Sequence, residues 1–318
     1  SRLGNRVELY HEPEILGTGG PMVNARELLS EHDAFILHNG DILTDADLSA
    51  LAATHRRTGA TVTMLTLDGP ENRLLVNSAG RVIDILGKLG ADPATGTMLT
   101  YGGIMMISRE FFRYLPSEPC NCSSIAAIIA MIRDGGGTVM TFNPGKFYWN
   151  DLGTIDRYCA AHYEILVQRR CRLPGLPPDH GPILAAADVS LGDPPPSGFL
   201  CAGQGCRIAA GAHVENCILL DGAEVGPNEF HINEIIGPDY SVHRDFAILR
   251  ELKVMAGTDW SHCRISSLRE YGSARGFFRL TDGDNKILMV SDAQDADFDR
   301  FVDIGRFLAA TRLHTPEI

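Results

Sequence analysis

The first half of the chain alternates short runs of aliphatic and β-branched residues with segments of helical periodicity. The run "DAFILHNGD" is followed by the helical pattern "DADLSALAATHRRTG", which we expect Asp45 to cap and Gly59 to end. Further pairs of this kind continue to about residue 170. Such alternation predicts an α/β domain over residues 1–172 with a doubly wound, mainly parallel sheet. Ligands of such sheets bind at the carboxyl ends of the strands, so residues that follow strands are the first candidates for a functional site.

Two aspartates occupy such positions. Asp41 follows the apolar run 35–37 and an Asn-Gly turn, and Asp151 follows Trp149 in "FYWNDLGTIDRY". Two carboxylates that converge on one face, on the order of 4–6 Å apart, could hold Mg²⁺ and leave its other positions to phosphate oxygens. Each aspartate taken alone is more typical of a turn, so the metal hypothesis depends on the neighbouring motifs.

Three further segments have the composition of ligand-contacting loops. The Gly-rich turn "ILGTGGP", residues 15–21, could present backbone N–H groups to an anion or a flat base, although a plain tight turn is the simpler alternative. Gly102 and Gly103 open a buried strand, where missing side chains permit close ligand approach. Lys88 follows a strand and could reach a phosphate, or it is a solvated lysine.

The motifs "LGTGG", "NGD", "GRV…GK", "YGGI" and "W-x-D-L-G-T", in this order over residues 1–170, resemble the sugar-1-phosphate nucleotidyltransferases. Within the family, the subgroup with a fused hexapeptide β-helix, which is similar to mannose-1-phosphate guanylyltransferases, matches the second region of the chain. The form "YWNDLGTIDRY" also resembles N-acetylmuramate-1-phosphate uridylyltransferases. The resemblance implies attack of a sugar-1-phosphate oxygen on the α-phosphorus of a nucleoside triphosphate, with Mg²⁺ as cofactor and pyrophosphate as leaving group.

The resemblance also implies a role for each matching residue. Asp41 and Asp151 would bind the metal ion and act in catalysis together with Lys88. The nucleotide would contact Leu16, Gly17, Thr18, Gly19, Gly20, Asn39 and Gly40. The sugar phosphate would contact Gly102, Gly103 and Trp149.

The sequence departs from the family pattern at two places. Members of the family open with a strand and a Gly-rich signature loop containing Arg and Pro-Lys, and no such segment precedes Ser1; Gly87 stands where many relatives have Glu. We therefore expect the chain to be incomplete and inactive alone. A non-catalytic nucleotide-sugar-binding regulatory or scaffold protein is the alternative, and an acyltransferase on the β-helix is a weaker one, because few hexads are present.

Residues 173–256 combine a Pro-rich stretch with a repeat. Ile208, Val214 and Leu220 are spaced by six residues, with Gly211 between the first two. This period predicts a short left-handed β-helix with one inward aliphatic residue on each face. An irregular, strand-rich linker is the alternative.

Residues 257–318 resemble the N-terminal lobe of aminoglycoside phosphotransferase-like sugar kinases. The segment 271–280, "YGSARGFFRL", is similar to their nucleotide-covering turn, "KILMV" to the next strand, and residues 301–318 to the following helix. The resemblance implies a nucleotidyltransferase fused to a sugar kinase whose catalytic loop is not in this chain.

Charge and cysteine content narrow the class of partners. A net charge of −12 and a pI near 5.3 argue against nucleic acid and anionic membranes as partners, and no run of eighteen apolar residues or secretory leader is present. None of the eight cysteines forms a C-x-x-C, which indicates reduced thiols in a cytoplasmic protein. Small-molecule substrates are expected, and a homo-oligomer is compatible with the sequence.

Overall fold

The computed structural model describes residues 7–68, 73–173, 175–176, 180–244, 264–268, 276–282, 284–290, 300 and 302–304. The chain divides into two compact units, Ser1–Leu152 and Gly153–Ile318. The three-domain division with boundaries near residues 172 and 256 stays a prediction. None of the helices in the described ranges is long and apolar enough to cross a membrane.

The first unit contains four helices and eight strands among its described residues. The helices are α1 Gly20–Asn24, α2 Arg26–Ser30, α3 Leu48–Thr58 and α4 Ser124–Arg133. The strands are β1 Ala34–His38, β2 Ile42–Thr44, β3 Val62–Leu67, β4 Leu74–Val76, β5 Val82–Ile85, β6 Thr97–Ser108, β7 Val139–Phe142 and β8 Trp149–Asp151. Short 3₁₀ turns span Pro93–Thr95 and Arg109–Tyr114.

The main sheet has the order β5-β4-β6-β3-β7, and β1 pairs with β6. Among the described pairs of this sheet, β3–β7 is parallel and the other four are antiparallel. The prediction of a mainly parallel sheet was therefore wrong. The long strand β6 pairs with three strands, all antiparallel to it, and a tight Asn77–Gly80 turn folds β4 and β5 into a hairpin. Alternation of strands and helices does not reveal such pairings between strands that are distant in sequence.

Helix α3 shows how local sequence fixes an element. The Asp47 carboxylate accepts hydrogen bonds from the backbone N–H groups of Ser49 and Ala50, at 2.8 and 3.0 Å, and caps the helix. Gly59 ends it in the left-handed region, at φ 61°. The interior of this unit is formed by aliphatic, Met and Phe side chains of β1 and β3–β7, packed against α1 and α4.

The second unit begins with helix α5, Ile155–Leu166, and continues as a β-solenoid. Its strands are β9 Ile183–Ala185, β10 Ser197–Ala202, β11 Arg207–Ile208, β12 His213–Leu219, β13 Glu224–Val225, β14 Phe230–Ile232 and β15 Glu234–Ile236, and they pair in parallel. Strand β16, Ser241–His243, pairs antiparallel with β15. The expected β-helix is confirmed as a solenoid; its hand stays a prediction.

Each coil of the solenoid is 17 residues long, one fewer than three hexads. Asp221 accepts from the backbone N–H of Gln204 and Asp188 from that of Gly205, and both pairs are 17 residues apart. The corners between sides carry residues in the left-handed conformation, which Gly and Asn adopt readily. These are Gly205, Gly211, Asn216, Gly222, Asn228 and Asn233.

The shorter coil moves one predicted core residue to the outside. Ile208 and Val214 point into the solenoid as expected, but the third inward position is Leu219, not Leu220. Leu220 instead packs outside, in a cluster that contains Cys159 of α5. The strict six-residue period failed here because one side of the coil has five residues.

The last coil replaces apolar core residues with polar ones. His231 lies in register with the buried Val214. Its two ring nitrogens are hydrogen-bonded to two carboxylates, Nδ1 to Glu234 at 2.8 Å and Nε2 to Glu229 at 3.3 Å. Burial lowers the pKa of His231, but the hydrogen bonds and negative charges of Glu234 and Glu229 outweigh it, so the pKa is raised overall.

Three antiparallel strands follow: β17 Arg264–Leu268, β18 Gly276–Asp282 and β19 Asp284–Val290. Strand β19 contains the "KILMV" run that was predicted to be a strand. The Gly-rich turn around 271–275 and most of the final helix lie outside the described residues, so the kinase-like identity of this region stays a prediction.

Candidate active site

The motifs "NGD", "YGGI" and "WND" meet in the first unit. The backbone N–H of Asn39 donates to the carbonyl of Gly103 at 3.0 Å, which ties the end of β1 to β6. The indole N–H of Trp149 donates to the carbonyl of Gly102 at 2.8 Å, which ties β8 to the same point of β6. Three segments that are about 40–110 residues apart in sequence are thus joined by direct hydrogen bonds.

Strands β2 and β8 form a small antiparallel ribbon; Asp151 ends β8, and Asp41 immediately precedes β2. Asp151 pairs with Ile42, and the N–H of Leu152 donates to the carbonyl of Asp41 at 2.7 Å. The predicted meeting of the two motifs therefore occurs across an antiparallel ribbon, not at the ends of neighbouring parallel strands. Asp41 is exposed and Asp151 is half-buried. Their shared role as metal ligands stays a prediction.

Gly103 allows this ribbon to approach β6. Its φ is +75°, in the left-handed region, and a Cβ atom there would lie 2.6 Å from Cγ1 of Ile42. A Cβ on Gly102 would lie 3.1 Å from Cδ2 of Leu67. The two glycines thus have a packing role that the sequence did not reveal, and their contact with a sugar phosphate stays a prediction.

Two groups that the sequence analysis missed fasten β2 to β8. The carboxylate of Asp45 accepts from the backbone N–H of Tyr148 at 2.6 Å, and the hydroxyl of Thr44 donates to the carbonyl of Tyr148 at 2.6 Å. "DADL" contains two candidate N-caps, and Asp45 had been assigned as the cap of the following helix. Asp47 takes that position, which leaves Asp45 for the ribbon.

The Gly-rich loop, Leu16–Gly20, packs on the segment that leads into α4. The N–H of Gly19 donates to the carbonyl of Cys122 at 2.9 Å, and the N–H of Gly20 to that of Leu16 at 3.2 Å. The Thr18 hydroxyl accepts from both the backbone N–H and the hydroxyl of Ser124, at 3.1 and 3.0 Å. The N–H of Leu16 also donates to the Glu12 carboxylate, at 3.2 Å. Three of the loop's N–H groups are therefore satisfied within the protein, which corrects the expectation that they point freely at a ligand.

The Lys88 segment is shaped by a buried carboxylate. Asp84, 3 % exposed, accepts from the backbone N–H groups of Leu89 and Ala91 at 3.2 and 3.0 Å. Burial raises the pKa of Asp84, but these backbone hydrogen bonds together outweigh it and hold the pKa below its usual value. Lys88 is exposed, and its carbonyl accepts from Arg133 at 3.3 Å. The loop is ordered, while the lysine side chain faces solvent.

The donor set suits a hard cation that keeps open positions. Among the described residues, no group of three or more His, Cys, Asp or Glu side chains has the geometry of a metal site. The ribbon offers two carboxylates, and Mg²⁺ in phosphate-transferring sites is held by one or two carboxylates plus phosphate and water oxygens. The residues present therefore fit Mg²⁺ bound together with a phosphorylated substrate.

Comparison with known proteins bears on what this site does. A profile of the nucleotidyl transferase family matches residues 1–168, just over half of the chain. The chain belongs to the nucleotidyl transferase family. The family match spans the Gly-rich loop, both aspartates, Lys88 and the "YGGI" strand.

Three curated relatives are sugar-phosphate nucleotidyltransferases or a bifunctional protein. Mannose-1-phosphate guanylyltransferase of Mycobacterium tuberculosis is 27 % identical over 71 % of this chain and 62 % of its own length. UTP–glucose-1-phosphate uridylyltransferase of Synechocystis is 23 % identical over 87 % of this chain and 79 % of its own length. Bifunctional protein GlmU of Heliobacterium modesticaldum is 29 % identical over 78 % of this chain and 59 % of its own length. The chain thus spans about three fifths of the first and third relatives.

Proposed function

We propose that this protein transfers a nucleotidyl group from a nucleoside triphosphate to a sugar-1-phosphate, giving an NDP-sugar and pyrophosphate. The observation that carries the proposal is the junction of three motifs. Hydrogen bonds Asn39–Gly103, Trp149–Gly102 and Leu152–Asp41 join the segments of the two aspartates to each other and to the glycines of β6. The names of the curated relatives support the same reaction class.

In this mechanism the protein positions the substrates and balances charge. The sugar-1-phosphate oxygen attacks the α-phosphorus, the bond to the β-phosphate oxygen breaks, and pyrophosphate leaves. Asp41 and Asp151 would hold Mg²⁺, which when bound neutralises charge on the phosphate oxygens. Lys88 would swing from solvent to the sugar-phosphate side, and the Gly-rich loop would contact the nucleotide. Alignment of the two phosphates provides most of the acceleration, since little covalent chemistry falls to the protein.

The test is formation of products by the protein expressed from its native gene. ³¹P NMR follows pyrophosphate and the diphosphate of the NDP-sugar in a matrix of four nucleoside triphosphates and a panel of hexose-1-phosphates. We expect product only when both substrates and Mg²⁺ are present. Asp151→Asn should lower the rate by about 10²-fold or more, the scale for removing a group that stabilises transition-state charge.

Asp134→Asn is the matched control, because Asp134 is an exposed aspartate that follows α4. It should leave the rate unchanged. The proposal fails if no pair of substrates gives product. It also fails if Asp151→Asn retains the full rate. Binding of an NDP-sugar without turnover would favour the alternative, a nucleotide-sugar-binding regulatory protein.

A further inference from the structure

The segment Cys120–Cys122 contacts the Gly-rich loop through each of its three residues. The N–H of Cys122 donates to the carbonyl of Leu16 at 3.1 Å, and its carbonyl accepts from Gly19. The side-chain amide of Asn121 donates to the carbonyl of Ile15 at 3.1 Å. Three of the hydrogen bonds that hold the loop therefore end on Cys122 and Asn121, and the rest include two from Ser124 to Thr18.

The glycines of the loop leave no spare room at this contact. A Cβ on Gly17 would lie 2.7 Å from the carbonyl oxygen of Cys122, and one on Gly19 would lie 2.8 Å from its sulfur. A Cβ on Gly20 would lie 2.7 Å from the carbonyl oxygen of Cys120. Any movement of either cysteine is transmitted to the loop, because close-packed atoms cannot absorb it.

The two thiols are close and differ in access. The chain bends at Asn121, and Cys120 and Cys122 flank this bend two residues apart. Cys120 is exposed and Cys122 is half-buried. Burial raises the pKa of the Cys122 thiol, and the neighbouring Cys120 raises it further. An accessible thiol next to a second, less accessible thiol is the arrangement in which one cysteine is oxidised first and the other resolves it.

We infer that Cys120 and Cys122 are a redox modification site, which hydrogen peroxide converts to an intramolecular disulfide that loosens the Gly-rich loop. The Cys120 thiolate attacks a peroxide oxygen, the O–O bond breaks, and hydroxide leaves and takes up the proton that the thiol lost. The Cys122 thiol then attacks the resulting sulfenic acid, the S–O bond breaks, and water leaves with its proton. In sum two thiols lose two electrons and two protons, and one peroxide becomes two waters.

Closing the S–S bond has a structural consequence for the loop. A disulfide holds its sulfurs about 2.05 Å apart, nearer than two free thiols can lie, so the sulfurs of these free cysteines must move toward each other. That movement strains the contacts of Cys122 with Leu16 and Gly19. The loss of nucleotide affinity that follows rests on the proposed function, whereas the loosening of the loop does not.

The experiment treats the full chain with hydrogen peroxide and maps it after alkylation under non-reducing conditions. Trypsin releases Tyr114–Arg133, a peptide that contains Cys120 and Cys122 and no other cysteine. We expect this peptide to lose the mass of two hydrogens. We also expect the amides of residues 15–20 to exchange about fivefold to thirtyfold faster, the factor for one or two net hydrogen bonds. Dithiothreitol should reverse both changes.

Variants separate this site from the other cysteines. Cys120→Ser, with Cys120→Ala as a second version, should abolish the effect of peroxide on loop exchange. Cys201→Ser is the matched control, since Cys201 is also a partly accessible free thiol, and it should leave the effect intact. The inference is overturned if the disulfide forms without a change in loop exchange. Separate oxidation of the two cysteines to sulfinic acids would also overturn it.

A last measurement keeps the two proposals apart. Binding of nucleoside triphosphates is compared between the reduced and oxidised chains. Weaker binding after oxidation supports both proposals. If the reduced protein expressed from its native gene binds no nucleotide, the proposed function fails, and loop exchange still decides the role of the dithiol.

Discussion

Replacing Gly103 with Ala tests whether this residue sets the geometry of the candidate site. The substitution forces an L-residue to φ +75° and adds a Cβ only 2.6 Å from Cγ1 of Ile42. The left-handed backbone costs about 1–2 kcal/mol. Overpacking adds about 1–3 kcal/mol, because Ile42 must shift. We therefore expect Gly103→Ala to lower the free energy of unfolding by about 2–5 kcal/mol.

Gly59→Ala is the matched control for the backbone term. Gly59 has a φ of +61°, and a Cβ there would meet no atom within 4 Å. Gly59→Ala should therefore lower the free energy of unfolding only by the cost of the left-handed conformation, about 1–2 kcal/mol. The difference between the two variants then isolates the contact with Ile42.

The free energy of unfolding of both variants is measured in urea, with hydrogen exchange of the amides in β6 and the ribbon as the readout. Exchange at these amides reports on the first unit separately from the second. The same shift of Ile42 should displace the neighbouring Asp41, so the rate of nucleotidyl transfer should fall in Gly103→Ala while Gly59→Ala keeps it. Equal destabilisation of the two variants would refute the argument that Gly103 is required by close packing.

Three further predictions concern single hydrogen-bonded groups. The indole N–H of Trp149 donates to the carbonyl of Gly102, so Trp149→Phe should lower the free energy of unfolding by about 1 kcal/mol in the same exchange assay. An unchanged free energy of unfolding would mean that this hydrogen bond does not stabilise the first unit. His55 is buried between the hydroxyls of Thr63 and Ser108, and burial, followed by the charge of Arg56, lowers its pKa. The unfolded chain therefore binds the proton more readily, and stability should fall as the pH drops below about 6.5, with a shallower fall in His55→Asn. The raised pKa of His231 gives the opposite pH dependence of stability. Its stabilising contribution is complete below about pH 6.5 and is lost as the pH rises through the pKa of the folded state. Glu234→Gln should abolish this pH dependence, measured as thermal unfolding over a pH series.

The sequence predicted local elements better than their partners. The end of α3 at Gly59 and the "KILMV" strand depend on residues within a few positions, and these were confirmed. The direction of β6 relative to its neighbours depends on contacts between distant segments, which periodicity does not contain.

The solenoid illustrates the same limit. Aliphatic spacing predicted a coil, but the choice between Leu219 and Leu220 depends on a five-residue side that ends at Asn216, in the left-handed conformation at φ 52°. Asn is a weaker sequence signal for a left-handed corner than Gly, so the corner at Asn216 was not predicted.

The sequence predicted which segments form the candidate site, but it did not predict the contacts and hydrogen bonds that join them. Motif order brought "NGD", "YGGI" and "WND" into one hypothesis, and the structure joins the three through Asn39, Gly102 and Gly103. The Asp45–Tyr148 bond and the Cys120–Cys122 contact with the loop could not be predicted, because each links segments about 100 residues apart with no motif of its own.

The most direct test of the account is a double-mutant cycle at the two aspartates. Initial rates of NDP-sugar formation are measured for wild type, Asp41→Asn, Asp151→Asn and the double variant, at saturating Mg²⁺ and with the substrate pair found by ³¹P NMR. If both carboxylates serve one ion, each single variant removes most of the activity and the double variant is about as slow as either. Additive losses, or a single variant with the wild-type rate, would contradict a shared metal site on the β2–β8 ribbon.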